Sequence, residues 1–545
     1  MVLGRVERGA CIGAVAAGTL LRPWMIWRFG VSSDEPQHLH VVWGWTHGLL
    51  PYRDVFDNHA PLFHVLSIPG LLAVGERPDA VLWMRLFMLP LWVACLLLTM
   101  QIGRRLFGPR VACWSTVLAG LFSPFFFCSL EYRPDTLWTV LWLGAVAIAV
   151  REPLTPRWGL AIGLVLGTAV AVSLKTIVML LAIIAATAAT LLLAPAARRP
   201  WRRILVTGAA AAAGVVVVPG CVMVYFAARG ALGPLLYGTV WHNLLPGLPQ
   251  ANRDRLHLVA LALVPIAWMA ARRVARDAPT ELGLRRAFLV LLTAAYAIVL
   301  LGGWPLVTRQ DMLPLIPLAA IAVTALVELA LAGRRLLAPL FALAAALEIA
   351  FVLGNRSVRF AEARQAVAFE ADVLSLAAPG EPVLDLKGDT VFRPRSIYWV
   401  LESITRERLR RGLVADDFAE HLAGTRTCVV AGKVDTLPPR TLGWVRFHYL
   451  PVARHPGAGS VLAAGVRFDP AHGGFDVGVP ATYALVGPDG TPHGLLDERP
   501  YEGPRRLTAG WHTYRAASDD DRVALLWAPA LAREFSPFDD TGGWR

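Results

Sequence analysis

The sequence predicts an α-helical polytopic membrane protein of about eleven transmembrane helices, ending in an extracytoplasmic domain that is part α/β and part β-sandwich-like. Three observations predict this. The 545 residues are 56% hydrophobic and 17% charged, with a mean hydropathy of +0.51, whereas an ordinary soluble domain is about 25% charged. The apolar excess is confined to blocks of roughly twenty residues between Ala10 and Leu353, the length a bilayer asks of a helix. Beyond Leu353 the pattern changes to short strand-like runs broken by turns. A soluble enzyme, a disordered chain and a simple secreted protein are excluded.

The first apolar block, Cys11–Trp27, has no small-residue cleavage site before the next polar stretch, so it is expected to remain as a span. Eleven spans are expected near 8–28, 80–101, 110–128, 135–150, 158–173, 176–194, 204–227, 256–271, 286–302, 312–332 and 336–354. The stretch 158–194 reads either as two short helices around Ser173–Lys175 or as one long re-entrant pair. Charge sets the orientation. The connections on one side, from Arg5 and Arg8 through Arg198–Arg203 and Arg272–Arg286 to Arg334 and Arg335, hold eighteen arginines, against eight basic residues on the other. The positive-inside rule puts the N-terminus in the cytoplasm, and an odd number of spans puts the tail outside a bacterial cytoplasmic (inner) membrane. The net charge of +12 is thereby accounted for by topology, and no nucleic-acid partner is expected.

The chain divides into a transmembrane domain (1–354), a small α/β unit (355–455) and a β-rich unit (456–545). The first outer loop, 29–79, is too polar to cross but has amphipathic stretches at His38–Leu49 and Leu62–Leu72, which suit the membrane interface. In the tail, Pro382–Leu386, Thr427–Val430 and Val445–Leu450 read as strands and Val414–Leu422 as a helix, and turns at Pro488-Asp489-Gly490 and Gly510-Trp511-His512 break up the β-rich part. Cys428 is the only cysteine of the tail, which excludes a disulfide within it. Trp444, Trp511 and Tyr514 there are either core residues or sugar-stacking platforms.

Charged side chains at a membrane boundary are costly and mark function. Asp34 and Glu35 follow the first span, and Glu131-Tyr132-Arg133-Pro134-Asp135 lies between the third and fourth on the same outer side. Pro134 starts the fourth helix, where its missing N–H costs little, and holds Asp135 in the first turn. Helix capping alone accounts for one such acid; two acidic clusters on one face point to a site. Lys175, Arg309 and His59 bring cations to that side. Carboxylates and cations together suit a substrate with an anionic lipid phosphate and a reacting hydroxyl.

Three runs in order, Asp34-Glu35-Pro36-Gln37-His38, Gly48-Leu49-Leu50-Pro51-Tyr52-Arg53-Asp54 and Asn58-His59-Ala60-Pro61-Leu62, resemble the first extracytoplasmic loop of polyprenyl-phosphate-sugar-dependent glycosyltransferases of the C-type fold, the protein O-mannosyltransferases and aminoarabinose transferases of glycosyltransferase family 39. Glu131–Asp135 resembles their second acidic loop, and Arg309–Pro317 their Arg/Tyr-Leu-Leu-Pro-x-x-Pro segment. The resemblance covers about residues 1–350. It implies Asp34 of the Asp34-Glu35 pair as catalytic base and Asp135 as a second catalytic acid. Glu131, Arg133, Lys175, Arg309, His59, Asn58 and Tyr52 would line the substrate, with Lys175 and Arg309 on the lipid phosphate. The chain departs from the pattern in carrying Asn58-His59 for Glu-Lys, and Gln310-Asp311 where an aromatic is usual.

The expected activity is inverting transfer of a sugar from a polyprenyl-phosphate carrier to a lipid, glycan or protein acceptor at the outer membrane face. No nucleotide-sugar motif and no set of metal-ligand spacing occurs, so no cofactor is expected; His242 beside Asn243 is the one weak metal candidate. Two other readings stand beside it. A lipid-diphosphate-dependent ligase or polymerase would share the outer arginines but not the Asp-Glu loop. A transporter or flippase would place charges mid-membrane on broken helices, where only Arg22, Glu328 and Glu348 are candidates.

Overall fold

A computed structural model describes residues 4–151, 154–195, 201–248, 250, 252–278, 280–331, 337–488, 490–517 and 522–538. Arg198, Arg199, Arg334, Arg335 and Asp489, which enter the sidedness and turn arguments, lie outside them. The helices of the first two-thirds of the chain are α1 (Arg5–Ile26), α2 (Asp34–Thr46), α3 (Leu62–Val74), α4 (Ala80–Leu86), α5 (Met88–Phe107), α6 (Pro109–Leu121), α7 (Ser123–Cys128), α8 (Pro134–Ala149), α9 (Pro156–Val172), α10 (Thr176–Leu193), α11 (Trp201–Ala228), α12 (Leu232–Leu236), α13 (Arg253–Arg276), α14 (Thr280–Gly303), α15 (Leu315–Ala330) and α16 (Leu337–Gly354). Among the described residues, six helical segments are long and apolar enough to cross a membrane: Arg5–Ile26, Ala80–Phe107, Thr176–Leu193, Trp201–Ala228, Arg253–Arg276 and Glu281–Gly303. The helices at the other expected spans are shorter. The chain is a multi-pass membrane protein.

The chain forms two compact units. The first comprises Met1–Trp27, Asn58–Ser67 and Leu82–Phe360. Proline opens α6, α8 and α9 in their first turn, where the backbone N–H would lack a helical partner anyway. The expected span at 110–128 is broken at Phe122, whose extended ψ of 114° ends α6; Pro124 then falls within the first turn of α7. Glu348, in α16, reaches the break and accepts a hydrogen bond from the Ser123 N–H at 2.8 Å. Arg22, in α1, donates to the Phe126 carbonyl at 3.1 Å and the Ser129 hydroxyl at 3.3 Å, and lies over the rings of Trp92 and Phe126. Half-buried Glu348 thus answers a backbone donor at the break, while buried Arg22 answers the end of α7 and anchors the chain just before Glu131. The stretch 158–194 resolves as two helices, with Ser173 extended between them (φ −155°, ψ 125°).

Helices α9 and α11 approach backbone to backbone. Gly159, Gly163 and Gly167 form one stripe of α9, and a Cβ at any of them would strike the main chain of Thr207, Ala211 or Val215. Small residues at a four-residue spacing are the means by which membrane helices come close. Gly163→Leu is therefore expected to cost about 1–3 kcal/mol of overpacking, seen as a lower melting temperature of the detergent-purified protein. Gly208→Ala, which meets open space, serves as the control without loss.

The second unit comprises Arg28–Asp57, Ile68–Val81 and Ala361–Arg545. Its strands are β1 (Val383–Leu384), β2 (Val429–Gly432), β3 (Tyr449–His455), β4 (Gly459–Phe468), β5 (Gly474–Val477), β6 (Ala481–Val486), β7 (Gly494–Leu496), β8 (Arg499–Pro500), β9 (Arg505–Leu507), β10 (Gly510–Ala516) and β11 (Val523–Trp527). A seven-stranded sheet runs β1-β2-β4-β11-β6-β9 with β3 also on β4, and a four-stranded sheet runs β5-β10-β7-β8. Among the described strands only β1 and β2 pair in parallel. One core takes Val383, Val429, Val461 and Leu525 from the larger sheet and Phe475, Leu496 and Tyr514 from the smaller. Residue 455, drawn as the end of an α/β unit, is the last residue of β3, which pairs with β4 immediately after it, so the larger sheet is continuous across that line.

The run Val445–Leu450 is corrected. Val445–His448 ends a helix, Pro439–His448, and the strand begins at Tyr449. Alternating apolar residues hid this, because the helix is started from a distance: the Asp416 carboxylate accepts from the Arg440 N–H at 3.1 Å and from the Thr441 hydroxyl. Of the tail aromatics, Tyr514 is core and donates to the His493 carbonyl, Trp444 packs on His448 and Tyr449, and Trp511 is exposed.

Candidate functional site

In the first unit, the residues picked out at the membrane boundary form a charge cluster drawn from three stretches of chain. Arg133 is the extended residue before α8, and the first turn that follows sets Asp135 within reach of it. Arg133 Nε donates to Asp135 Oδ2 at 3.1 Å and lies 3.8 Å from Glu131 Oε2, all three side chains being buried. Lys175 sits at the head of α10, and its Nζ meets Asp311 Oδ1 at 2.5 Å. Trp138 Nε1 donates to Thr176 Oγ1 at 2.9 Å, which fastens the first turn of α8 to the start of α10 and brings Asp135 within electrostatic reach of Lys175. Burial pulls the Lys175 ammonium down, but Asp311 and then Asp135 outweigh it and hold the group above the ordinary lysine value.

The third stretch is the turn before α15. Gln310 Nε2 donates to Glu131 Oε2 at 3.1 Å, joining that turn to the acidic loop. Arg309 is exposed, and it acts electrostatically on Cys128 together with Glu131, Asp135 and Arg133. His59 acts on Asp135 in the same way. Asn58 is clasped from the second large outer loop: Asn243 Nδ2 donates to the Asn58 carbonyl at 3.0 Å. The neighbouring His242 is buried.

Asp34, Glu35 and Tyr52 belong to the second unit. Asp34 opens α2, and its Oδ1 accepts from Lys387 Nζ at 2.6 Å. Glu35 is fully buried and folds back so that Oε1 accepts from the Ser32 N–H at 2.8 Å. Tyr52 is a buried turn residue at φ +68°, and its carbonyl accepts from the Tyr398 hydroxyl at 2.5 Å.

Two residues outside the sequence-based set belong with these groups. Asp311 is fully buried and accepts from Lys175, from the Thr308 N–H at 2.8 Å and from the Thr308 hydroxyl at 2.9 Å, while its carbonyl takes the Tyr296 hydroxyl at 2.8 Å. A carboxylate two residues past an arginine at the start of a span was the available signal. Lys387 is the other, and only its rarity pointed to it: the chain has three lysines, at 175, 387 and 433.

No protein family matches the sequence, and no curated protein matches it. Solved structures do. ArnT from Cupriavidus metallidurans bound to undecaprenyl phosphate superposes with a TM-score of 0.58 at 15% identity, over 84% of this chain and 98% of that one. Its apo state gives 0.53 at 14% identity over the same shares. The oligosaccharyltransferase of Archaeoglobus fulgidus gives 0.44 at 13% identity, over 84% of this chain and 73% of that one. The chain has the fold of ArnT, the C-type glycosyltransferase fold toward which the first-loop motifs pointed.

Proposed function

We propose that the protein is an inverting glycosyltransferase that moves a sugar from a polyprenyl-phosphate carrier to a hydroxyl of a lipid, glycan or protein at the outer face of the cytoplasmic membrane. The observation that carries this reading is the cluster of Glu131, Arg133, Asp135, Lys175 and Asp311 at the ends of membrane helices, on a fold whose neighbour ArnT binds undecaprenyl phosphate. The pairings with Asp311, Asp135 and Glu131 hold Lys175 and Arg133 at the helix ends, and Arg309 is exposed beside them. Cations so placed suit the phosphate of a lipid carrier, whose leaving oxygen gains charge as the glycosidic bond breaks.

In the reaction, the acceptor oxygen attacks the anomeric carbon from the face opposite the phosphate. The C–O bond to the acceptor forms as the C–O bond to the phosphate breaks, and the bonding pair leaves on the polyprenyl phosphate. Asp34 takes the acceptor proton. Asp135 orients Arg133, and both stand next to Lys175. His59, which acts electrostatically on Asp135, and Asn58 beside it belong to the surroundings of the substrate in this reading. Glu348 is spoken for by the Ser123 N–H at the α6–α7 break and Arg22 by the Phe126 carbonyl at the end of α7, which removes two of the three charges that a proton-driven transporter would use.

The test is binding of polyprenyl phosphate to the full-length protein in detergent, followed by transfer from a panel of polyprenyl-phosphate sugars. Lys175→Met is expected to weaken carrier binding by roughly 10–100-fold, the value of one charge-assisted hydrogen bond, and to leave the acceptor KM unchanged. A change confined to the acceptor KM would overturn the assignment of Lys175 to the phosphate.

A further inference from the structure

The second unit pairs the carboxylate proposed as base with a lysine 353 residues away. Lys387 Nζ lies 2.6 Å from Asp34 Oδ1 and 3.1 Å from Ser33 Oγ, with about a fifth of the lysine and a quarter of the aspartate exposed (side-chain exposures 20% and 26%). An exposed pair on flexible stems contributes little, so the question is whether the lysine is placed or merely present.

The loop that carries it is built. Asp385, fully buried, accepts from the Gly388 N–H at 2.8 Å, the Thr390 N–H at 2.9 Å, the Thr390 hydroxyl at 2.8 Å and Arg395 Nε at 2.7 Å. Burial opposes its charge, but Arg395 foremost, then His40 and those backbone donors, hold its carboxyl below the usual range. Gly388 has φ +88°, and a Cβ there would stand 2.9 Å from His40 Cβ and 3.4 Å from Gln37 Cα. His40 Nδ1 meets the Val391 carbonyl at 2.8 Å. The loop 385–391 is thus seated on α2, the helix that Asp34 opens, by contacts at Gly388 and Val391 just after Lys387.

The choice of lysine bears on the role. In a chain with 52 basic residues, all but three arginine, a guanidinium fork would engage both oxygens of a carboxylate, whereas an ammonium is a point charge that can hold one. Nζ engages Oδ1 at a single point.

We infer that Lys387 is a positioning residue for Asp34: the C-terminal domain reaches the first-loop helix with an ammonium that holds the carboxylate by Oδ1 in place for the acceptor hydroxyl. The acceptor proton passes to Asp34 alone. This rests on the reading of Asp34 as the base. It makes the C-terminal domain part of the catalytic machinery.

The experiment is a double-mutant cycle on the full-length protein, read as kcat and donor KM for transfer from a polyprenyl-phosphate sugar. Lys387→Met is expected to lower kcat roughly 10–100-fold, the range for loss of one charge-assisted contact, with donor KM unchanged and melting temperature preserved. Lys387→Arg keeps the charge but its fork would engage both carboxylate oxygens, so it is expected to recover only a minor part of that loss. In the Asp34→Asn background Lys387→Met should cost nothing further, because a residue that acts through another has no effect once the other is gone. An equal loss in both backgrounds, or a rise in donor KM with kcat intact, would assign Lys387 to the phosphate and overturn the inference. If Met at 387 prevents folding, Lys387→Gln supplies the uncharged arm. Native kcat in Lys387→Met with an inactive Asp34→Asn defeats this inference alone; an active Asp34→Asn defeats the base assignment first.

Discussion

Asp34→Asn is expected to lower kcat by about three orders of magnitude, within the range supplied by general-base catalysis, while leaving the fold and donor binding intact. An amide has nearly the shape of a carboxylate but no affinity for the acceptor proton. The substitution sits at the first residue of α2, where a carboxylate interacts favourably with the helix dipole, a contribution of about 0.3–1 kcal/mol, too small to unfold the loop. It also removes the charge that Lys387 faces at 2.6 Å. An ammonium that is partly exposed can turn to water, so the structural cost is small. The measurement is single-turnover transfer in detergent with a matched donor, alongside carrier binding. Transfer within twofold of the native rate would remove Asp34 from the chemistry and leave the fold unaffected.

Asp311→Ala is expected to give the largest loss of stability among single substitutions in the boundary cluster. Asp311 is fully buried, and one carboxylate answers Lys175 Nζ, the Thr308 N–H and the Thr308 hydroxyl. Removing it strands a cation and two donors at a helix end, and breaking such a pair costs about 3–5 kcal/mol. The melting temperature should fall by several degrees, with weaker carrier binding because Lys175 loses the partner that holds it at the head of α10. Asp311→Asn keeps acceptor capacity for Thr308 and is expected to lose less. The double substitution Asp311→Ala with Lys175→Met should recover part of the stability, since the stranded charge is then gone. A native melting temperature for Asp311→Ala would mean that Lys175 finds water or another acceptor at no cost.

Much of the boundary cluster was legible in the chain itself, and the reasons are local. Asp135 stands one residue after a proline that must begin a helix, so its place in a first turn needed only the sequence. The amphipathic stretches at His38–Leu49 and Leu62–Leu72 became α2 and α3 because the spacing of apolar residues is a property of neighbours. Glu35 illustrates the limit of that reading. Its acidity was visible, but its carboxylate is taken up by the Ser32 N–H three residues back.

Six of the expected membrane helices and the places of Asp34 and Asp135 at helix starts were determined by the sequence alone, because hydropathy, proline and charge act over one or two turns. Tertiary structure decided which charge answers which. Gln310 meets Glu131 across 179 residues, Lys175 meets Asp311 across 136, and Lys387 meets Asp34 across 353. It likewise made Val445–His448 helical, through a carboxylate at Asp416, and ran one sheet from β1 to β9 across the line drawn at residue 455. The physical reason is the same in each case. A buried ion pair or a backbone donor needs some partner, but the need does not name it; only the packing of the helices and strands between them brings one candidate within 3 Å.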